Sequence, residues 1–183
     1  MLESERTLVL VKPDGVSRGL VGEVLRRMER TGLRLVALSM RTPSAELARE
    51  HYQDAPENLR RMGSKLTEAA SSLGVELEAF FGTTDAIELG RVIHERNIRF
   101  LQSGPVVAAV IEGGNAIRKV RVICGSTMPI DAQPGSIRGD FTSAGVEQLL
   151  FSETTVYNVV HSSDDSEGAA TREVDLWFPE GLA

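Results

Sequence analysis

A single cysteine, Cys124, cannot close an internal disulfide, nor can it anchor a cysteine-rich metal site. Aromatic residues make up only 5% of the chain. A platform for single-stranded nucleic acid needs aromatic rings over a basic groove, so that class is disfavoured. Basic charge is short as well: 20 Lys and Arg face 26 Asp and Glu, a net charge of −6. Such a chain repels nucleic acid at long range, and duplex binding by a basic face is disfavoured. Long apolar runs are missing too. The longest uncharged run, Phe100 to Ile111, has 12 residues and contains Gln102, Ser103, Gly104 and Pro105. A membrane-spanning helix needs about 20 apolar residues, so no bilayer span is expected. The start, Met1-Leu2-Glu3-Ser4-Glu5, is acidic where a signal peptide is basic and then apolar. These shortages together read as a reduced, cytoplasmic protein.

What is present is ordinary for a globular chain: 42% hydrophobic and 25% charged residues. The length of 183 residues fits one domain, with no internal repeat. Charge is unevenly spread. Residues 1–41 carry 8 basic and 5 acidic side chains, whereas residues 142–183 carry 1 basic and 8 acidic. Residues 115–141 hold a local excess of 4 basic over 2 acidic groups, so a compact anion remains a possible ligand if cations converge.

Thr7–Val11 is an apolar β-prone run that ends at Lys12-Pro13-Asp14-Gly15, read as a turn. Apolar spacing predicts a helix over Leu20–Arg30, a strand over Leu33–Met40 and a short helix from Pro43-Ser44 to Tyr52. Residues 54–98 are charged, helix-friendly and interrupted by Gly63, Gly74 and Gly82, with a helix expected over Ile87–Phe100. Val106–Ile111 reads as a buried strand, Asn115–Ile123 as a helix, and Gly125–Thr142 as a long uncoiled loop. Thr154–Val160 reads as a fourth strand ending at His161, and Ser166–Val174 as a final helix. Without the middle section the order is βαββαβ. That order predicts an α+β fold, a ferredoxin-like sandwich on a four-stranded antiparallel sheet.

Lys12, Arg121, Arg138 and Thr127 together suit a polyphosphate: arginine offers a planar fork and lysine a point charge. Taken singly, each cation is more often a solvated surface group, since most Lys and Arg are exposed. His161 is a base, metal ligand or nucleophile, or else a hydrogen-bonded structural residue at a strand end. The three histidines show no zinc-ligand spacing. Glu173 sits at the edge of the last helix's apolar stripe; a carboxylate turned inward needs a partner, and a histidine N–H would serve. Otherwise it points to solvent.

Six ordered blocks then form a recognisable whole: Glu5–Gly22 around Lys12-Pro13-Asp14-Gly15, His51-Tyr52, Ser103–Val107, Pro134–Phe141, Asn158-x-x-His161-x-Ser163-Asp164, and Glu173-x-x-Leu176-Trp177-Phe178. The chain resembles the nucleoside diphosphate kinases across most of its length outside residues 54–98. The resemblance implies that His161 is a nucleophile carrying a phosphoryl group from a nucleoside triphosphate to a nucleoside diphosphate, in a ping-pong exchange. It implies Mg²⁺ bound chiefly through the nucleotide phosphates. Lys12, Arg121, Arg138 and Thr127 would hold the phosphates, and Asn158 with Lys12 the ribose hydroxyl. Glu173 would orient His161, with Tyr52 and Ser163 in support. Broad base specificity and a homo-oligomer, a hexamer or a tetramer built from dimers, are also implied. A catalytically weak relative acting as nucleotide sensor or scaffold is the alternative.

Three departures from the family pattern stand out. Residues 54–98 are an insertion, and the position that carries a base-stacking phenylalanine falls on Ile93, with His94, Phe80 and Phe81 as other candidates. A loop over about residues 142–155 is extended; together these insertions resemble the longer archaeal-like branch. His161 and Trp177 are 16 positions apart, one more than usual, and the extra residue is expected in Ser162–Ser166, leaving Glu173 in register.

Overall fold

The computed structural model describes residues 4–164 and 167–182. The first three residues of the acidic start, and Asp165 and Ser166 at the expected start of the last helix, lie outside them.

Strand β1 (Ser4–Val11) lies inside a four-stranded sheet of order β2-β3-β1-β4, with β2 (Arg34–Arg41), β3 (Val106–Gly114) and β4 (Val160–Ser162). All pairings are antiparallel. This is the ferredoxin-like α+β arrangement that the element order predicts. The unbroken apolar runs of β1 and β3 arise because both faces of the sheet are covered. Val9 and Val11 pack with Val107, Ala109 and Ile111 against α2 (Val21–Glu29) and α7 (Ala116–Cys124). Leu8 and Leu10 pack with Ala108 and Val110 on the other side, against α3 (Ala45–His51), α6 (Ala86–Leu101) and α10 (Glu167–Trp177). A strand's period of two divides one run between two cores.

Lys12-Pro13-Asp14-Gly15 is not a turn but the entry to a one-turn helix, α1 (Pro13–Ser17). Proline at the first helical position needs no N–H partner, and it holds Lys12 in an extended conformation. The expected loop Gly125–Thr142 is likewise partly coiled, with a 3₁₀ turn at Pro129–Asp131 and α8 (Ile137–Phe141). The Ser136 hydroxyl caps α8 by accepting from Gly139 N–H at 3.2 Å.

The insertion is a helical hairpin. α4 (Pro56–Ser72) runs against α6, with α5 (Leu77–Phe81) between them. The extended 142–155 loop contributes α9 (Val146–Phe151) to the same cluster. Gly63 is a contact point rather than a break: a Cβ there would lie 1.8 Å from the Ala86 carbonyl oxygen, and one at Gly90 would lie 2.0 Å from that of Leu59.

The fourth strand is shorter and later than its sequence suggests. Thr154–Asn158 are not in the sheet; β4 pairs only Val160–Ser162 with β1. Val159 adopts a left-handed backbone (φ 66°), so the ladder cannot extend back through it. His161 is therefore inside β4, opposite Leu10, on the face that α10 covers.

Candidate active site

β1 ends at Val11, and the N–H of the next residue, Lys12, donates to the Val159 carbonyl at 2.8 Å, so the end of β1 and the start of β4 come together. A cavity of about 520 Å³ opens there. Lys12, Tyr52, Arg121, Thr127, Arg138, Asn158 and His161 all line it, although they come from six separate stretches of chain. The other two expected residues, Ser163 and Glu173, lie behind His161.

Glu173 reaches His161 because α10 packs on the face that Leu10 and His161 share. Its Oε2 lies 2.8 Å from His161 Nε2 and accepts from Ser163 Oγ at 2.8 Å. Ser163 Oγ also accepts from Leu8 N–H at 3.2 Å, and Ser163 N–H donates to the Leu8 carbonyl at 3.2 Å. The last helix is thus in register for Glu173. Burial alone would raise this carboxyl, but the His161 charge and hydrogen bond outweigh it and hold the group at about 2. An anionic Glu173 accepts Nε2–H, so in the neutral ring the lone pair sits on Nδ1.

His51 contributes a second restraint that its sequence gave no reason to expect. Its ring meets His161 edge to face, with centroids 4.4 Å apart. Burial holds His51 well below the usual histidine range, and it stays neutral. Trp177 Nε1–H donates to His51 Nδ1 at 3.3 Å, so the proton of His51 is on Nε2. His51, His161 and Glu173 bring three ligand-type atoms within 4.8 Å of one another. That tautomer leaves His51 Nε2 no lone pair to offer an ion.

The cations are held at different strengths. Lys12 is almost fully buried; desolvation lowers its ammonium to about 8, against the opposing pull of Asp14. Its Nζ lies 5.4 Å from the centroid of Phe100, which stacks on Tyr157. Arg138 is also buried, donating through Nη1 to Gly125 O at 2.7 Å and through Nη2 to Val160 O at 2.8 Å. It braces the site as well as facing the cavity. Arg121 donates to Ser163 O at 3.2 Å and pairs with Asp164 at 3.3 Å. Asn158 Nδ2 donates to Thr127 O, while its Oδ1 is buried without a hydrogen bond.

The far end of the cavity is apolar. Met62 and Leu66 of α4, Ile93 of α6, Leu149 of α9, Met128 and Val156 line it. Of the four positions considered for base stacking, only Ile93 does so. His94 bonds instead to the Tyr52 carbonyl, Phe80 packs edge to face on exposed Phe151, and Phe81 lies under Arg96.

The family model for nucleoside diphosphate kinase matches residues 5–94 and 75–182. The chain belongs to the nucleoside diphosphate kinase family. It is an enzyme, a nucleotide-binding phosphotransferase. A nucleoside diphosphate kinase of Pyrobaculum aerophilum is 42% identical over 176 residues, covering 96% of each chain. One of Nocardia farcinica is 46% identical, covering 97% of this chain and 96% of that one. The crystal structure of an NDP kinase from Pyrobaculum aerophilum superposes with a TM-score of 0.92 at 39% identity, covering 96% of each chain. A nucleoside-diphosphate kinase from Borrelia burgdorferi, a transition state mimic with bound vanadate and ADP, has a TM-score of 0.72 at 34% identity. That match covers 96% of this chain and 87% of that one. No helix among the described residues is long and apolar enough to cross a membrane.

Sequence reasoning missed Asp14 as well as His51. Asp14 Oδ2 accepts from Val159 N–H at 2.9 Å, between the two residues that carry the amide and the imidazole of the site. Both residues stand inside quoted motifs, but their roles are tertiary contacts, which spacing does not reveal.

Proposed function

We propose that His161 exchanges phosphoryl groups between nucleoside triphosphates and diphosphates through Nδ1. The observation that carries this reading is the Glu173–His161 contact, which fixes Nε2 as donor and gives Nδ1 the lone pair. In the first half-reaction Nδ1 forms a bond to the terminal phosphorus, and the bond from that phosphorus to the bridging oxygen breaks. The diphosphate leaves with the electron pair. The imidazolium form is balanced by the Glu173 carboxylate, which remains ionised. The second half-reaction is the reverse, onto a different diphosphate.

Phosphoryl transfer requires alignment and cancellation of charge on the equatorial oxygens. Lys12, Arg121 and Arg138 supply the charge and Thr127 a hydroxyl, while Asn158 Oδ1 and Lys12 meet the ribose hydroxyl. Tyr52 and Ser163 support His161. The apolar end takes the base by contact rather than by edge hydrogen bonds, consistent with acceptance of several bases. Asp164 is the one carboxylate among the described residues that lines the cavity, which fits Mg²⁺ arriving on the phosphates rather than in a protein cage. When bound, the ion would neutralise phosphate charge.

We further take residues 1–183 as one catalytic domain carrying the insertion at about 54–98, acting in the cytoplasm as a homo-oligomer built from dimers. Exposed Leu38 and Met40 on the edge strand β2 support association.

Incubation with γ-labelled ATP is expected to give acid-labile label on His161. His161→Gln abolishes it, and any nucleoside diphosphate chases it. An unlabelled native chain would sink this reading in favour of the sensor or scaffold.

A further inference from the structure

Beyond the family cations, the insertion brings two more to the cavity wall: Arg61 and Lys65, one turn apart on α4. Arg61 lies near the phosphate end. Asp164 pairs through Oδ1 with Arg121 at 3.3 Å and through Oδ2 with Arg61 at 3.8 Å, so one carboxylate joins cations from α7 and α4. Lys65 makes no ion pair among the described residues. The height of α4 over the site is set between these two residues, where Gly63 touches the Ala86 carbonyl.

We propose that Arg61, assisted by Lys65, is a nucleotide-phosphate-binding residue contributed by the insertion, and that Asp164 holds the place of the incoming phosphate. This rests on the phosphotransfer reading above. The Arg61 and Asp164 side chains are 59% and 62% exposed, and exposed ion pairs are weak and screened. A phosphate carries more charge and more acceptor oxygens than a carboxylate, and it suits a guanidinium fork. It therefore displaces Asp164 and inherits both arginines. The need for another cation is visible in the site itself. Arg138 commits Nη1 and Nη2 to backbone carbonyls, which leaves fewer donors for the ligand.

The test is equilibrium binding of ADP, with adenosine as the phosphate-free control, to the full chain and its variants. Arg61→Ala is expected to weaken ADP on the order of tenfold, leave adenosine unchanged and flatten the salt dependence of ADP affinity. Arg61→Lys restores part of the loss, and Lys65→Ala gives a smaller one. Asp164→Asn is expected to tighten ADP several-fold with or without magnesium. Equal weakening of ADP and adenosine in Arg61→Ala would assign the residue to the apolar wall and overturn the proposal. So would unchanged ADP affinity, or Asp164→Asn weakening ADP only when magnesium is present, which would make the acid a partner of the ion. Labelling of native His161 by γ-labelled ATP is run alongside. If native labels and Arg61→Ala binds ADP normally, only this proposal fails; if native does not label, the catalytic reading fails.

Discussion

Asp14 Oδ2 accepts the Val159 backbone N–H at 2.9 Å, joining the first turn after β1 to the residue before β4 across 145 positions. Val159 is fully buried and β-branched, yet holds φ at 66°, a conformation such residues rarely adopt. The strain is local to the site, because Asn158 precedes it and His161 follows two residues later.

Removing that acceptor should release the strain into the site. Asp14→Ala leaves a buried N–H unpaired, at a cost of about 1–3 kcal/mol. Asp14→Asn keeps an acceptor and should cost less. Thermal melts and the rate of His161 labelling are expected to fall together in Asp14→Ala. A variant with native melting and native labelling would show that the bond does not hold the loop.

Glu173→Gln keeps an acceptor for His161 and Ser163 but loses the charge that balances an imidazolium. Labelling should slow about 10–100-fold, the usual effect of removing an orienting carboxylate. Acid stability supplies a second readout. The folded carboxyl titrates at about 2 against an ordinary 4.5, so its contribution is full above about pH 4.5 and is lost as pH falls toward 2. Unfolding measured from pH 6 to 2 should be flatter in Glu173→Gln than in native protein.

Lys12 gives the opposite sign. Its ammonium titrates at about 8 in the fold against 10.5 when unfolded. The charged form is thus penalised by folding below pH 8, and the penalty fades as pH rises from 8 to 10.5. Lys12→Met is expected to melt higher at neutral pH while phosphoryl transfer drops sharply. In native enzyme kcat/KM should decline above about pH 8. kcat should decline less, because a bound phosphate draws the proton back. A flat kcat/KM profile to pH 10 would remove Lys12 from the phosphate contacts.

Gly63→Ala tests the hairpin. A methyl group there meets the Ala86 backbone, not a flexible side chain, so α4 and α6 must separate. Overpacking of this kind costs about 1–3 kcal/mol. Faster amide exchange confined to α4 and α6, with β1 and β3 protected as in native protein, is the expected pattern. Uniform loss of protection would mean that the hairpin and the sheet unfold as one unit.

The sequence by itself determined the sheet's centre and the chemistry. β1 and β3 are covered on both faces, and double coverage writes itself as unbroken apolar runs. Lys12, Arg138, Asn158, His161 and Glu173 stand in the spaced motifs that carry the family resemblance. Tertiary structure alone decided where β4 begins, since Thr154–Asn158 has strand-like composition but Val159 turns the chain away from the ladder. It alone made helix contacts of Gly63 and Gly90, because a missing Cβ reads locally as a helix breaker and only a neighbouring backbone makes it a point of close packing. It also brought His51 to His161, Asp14 to Val159 and Arg61 to Asp164. These contacts depend on distances between remote segments, and local periodicity carries no record of such distances.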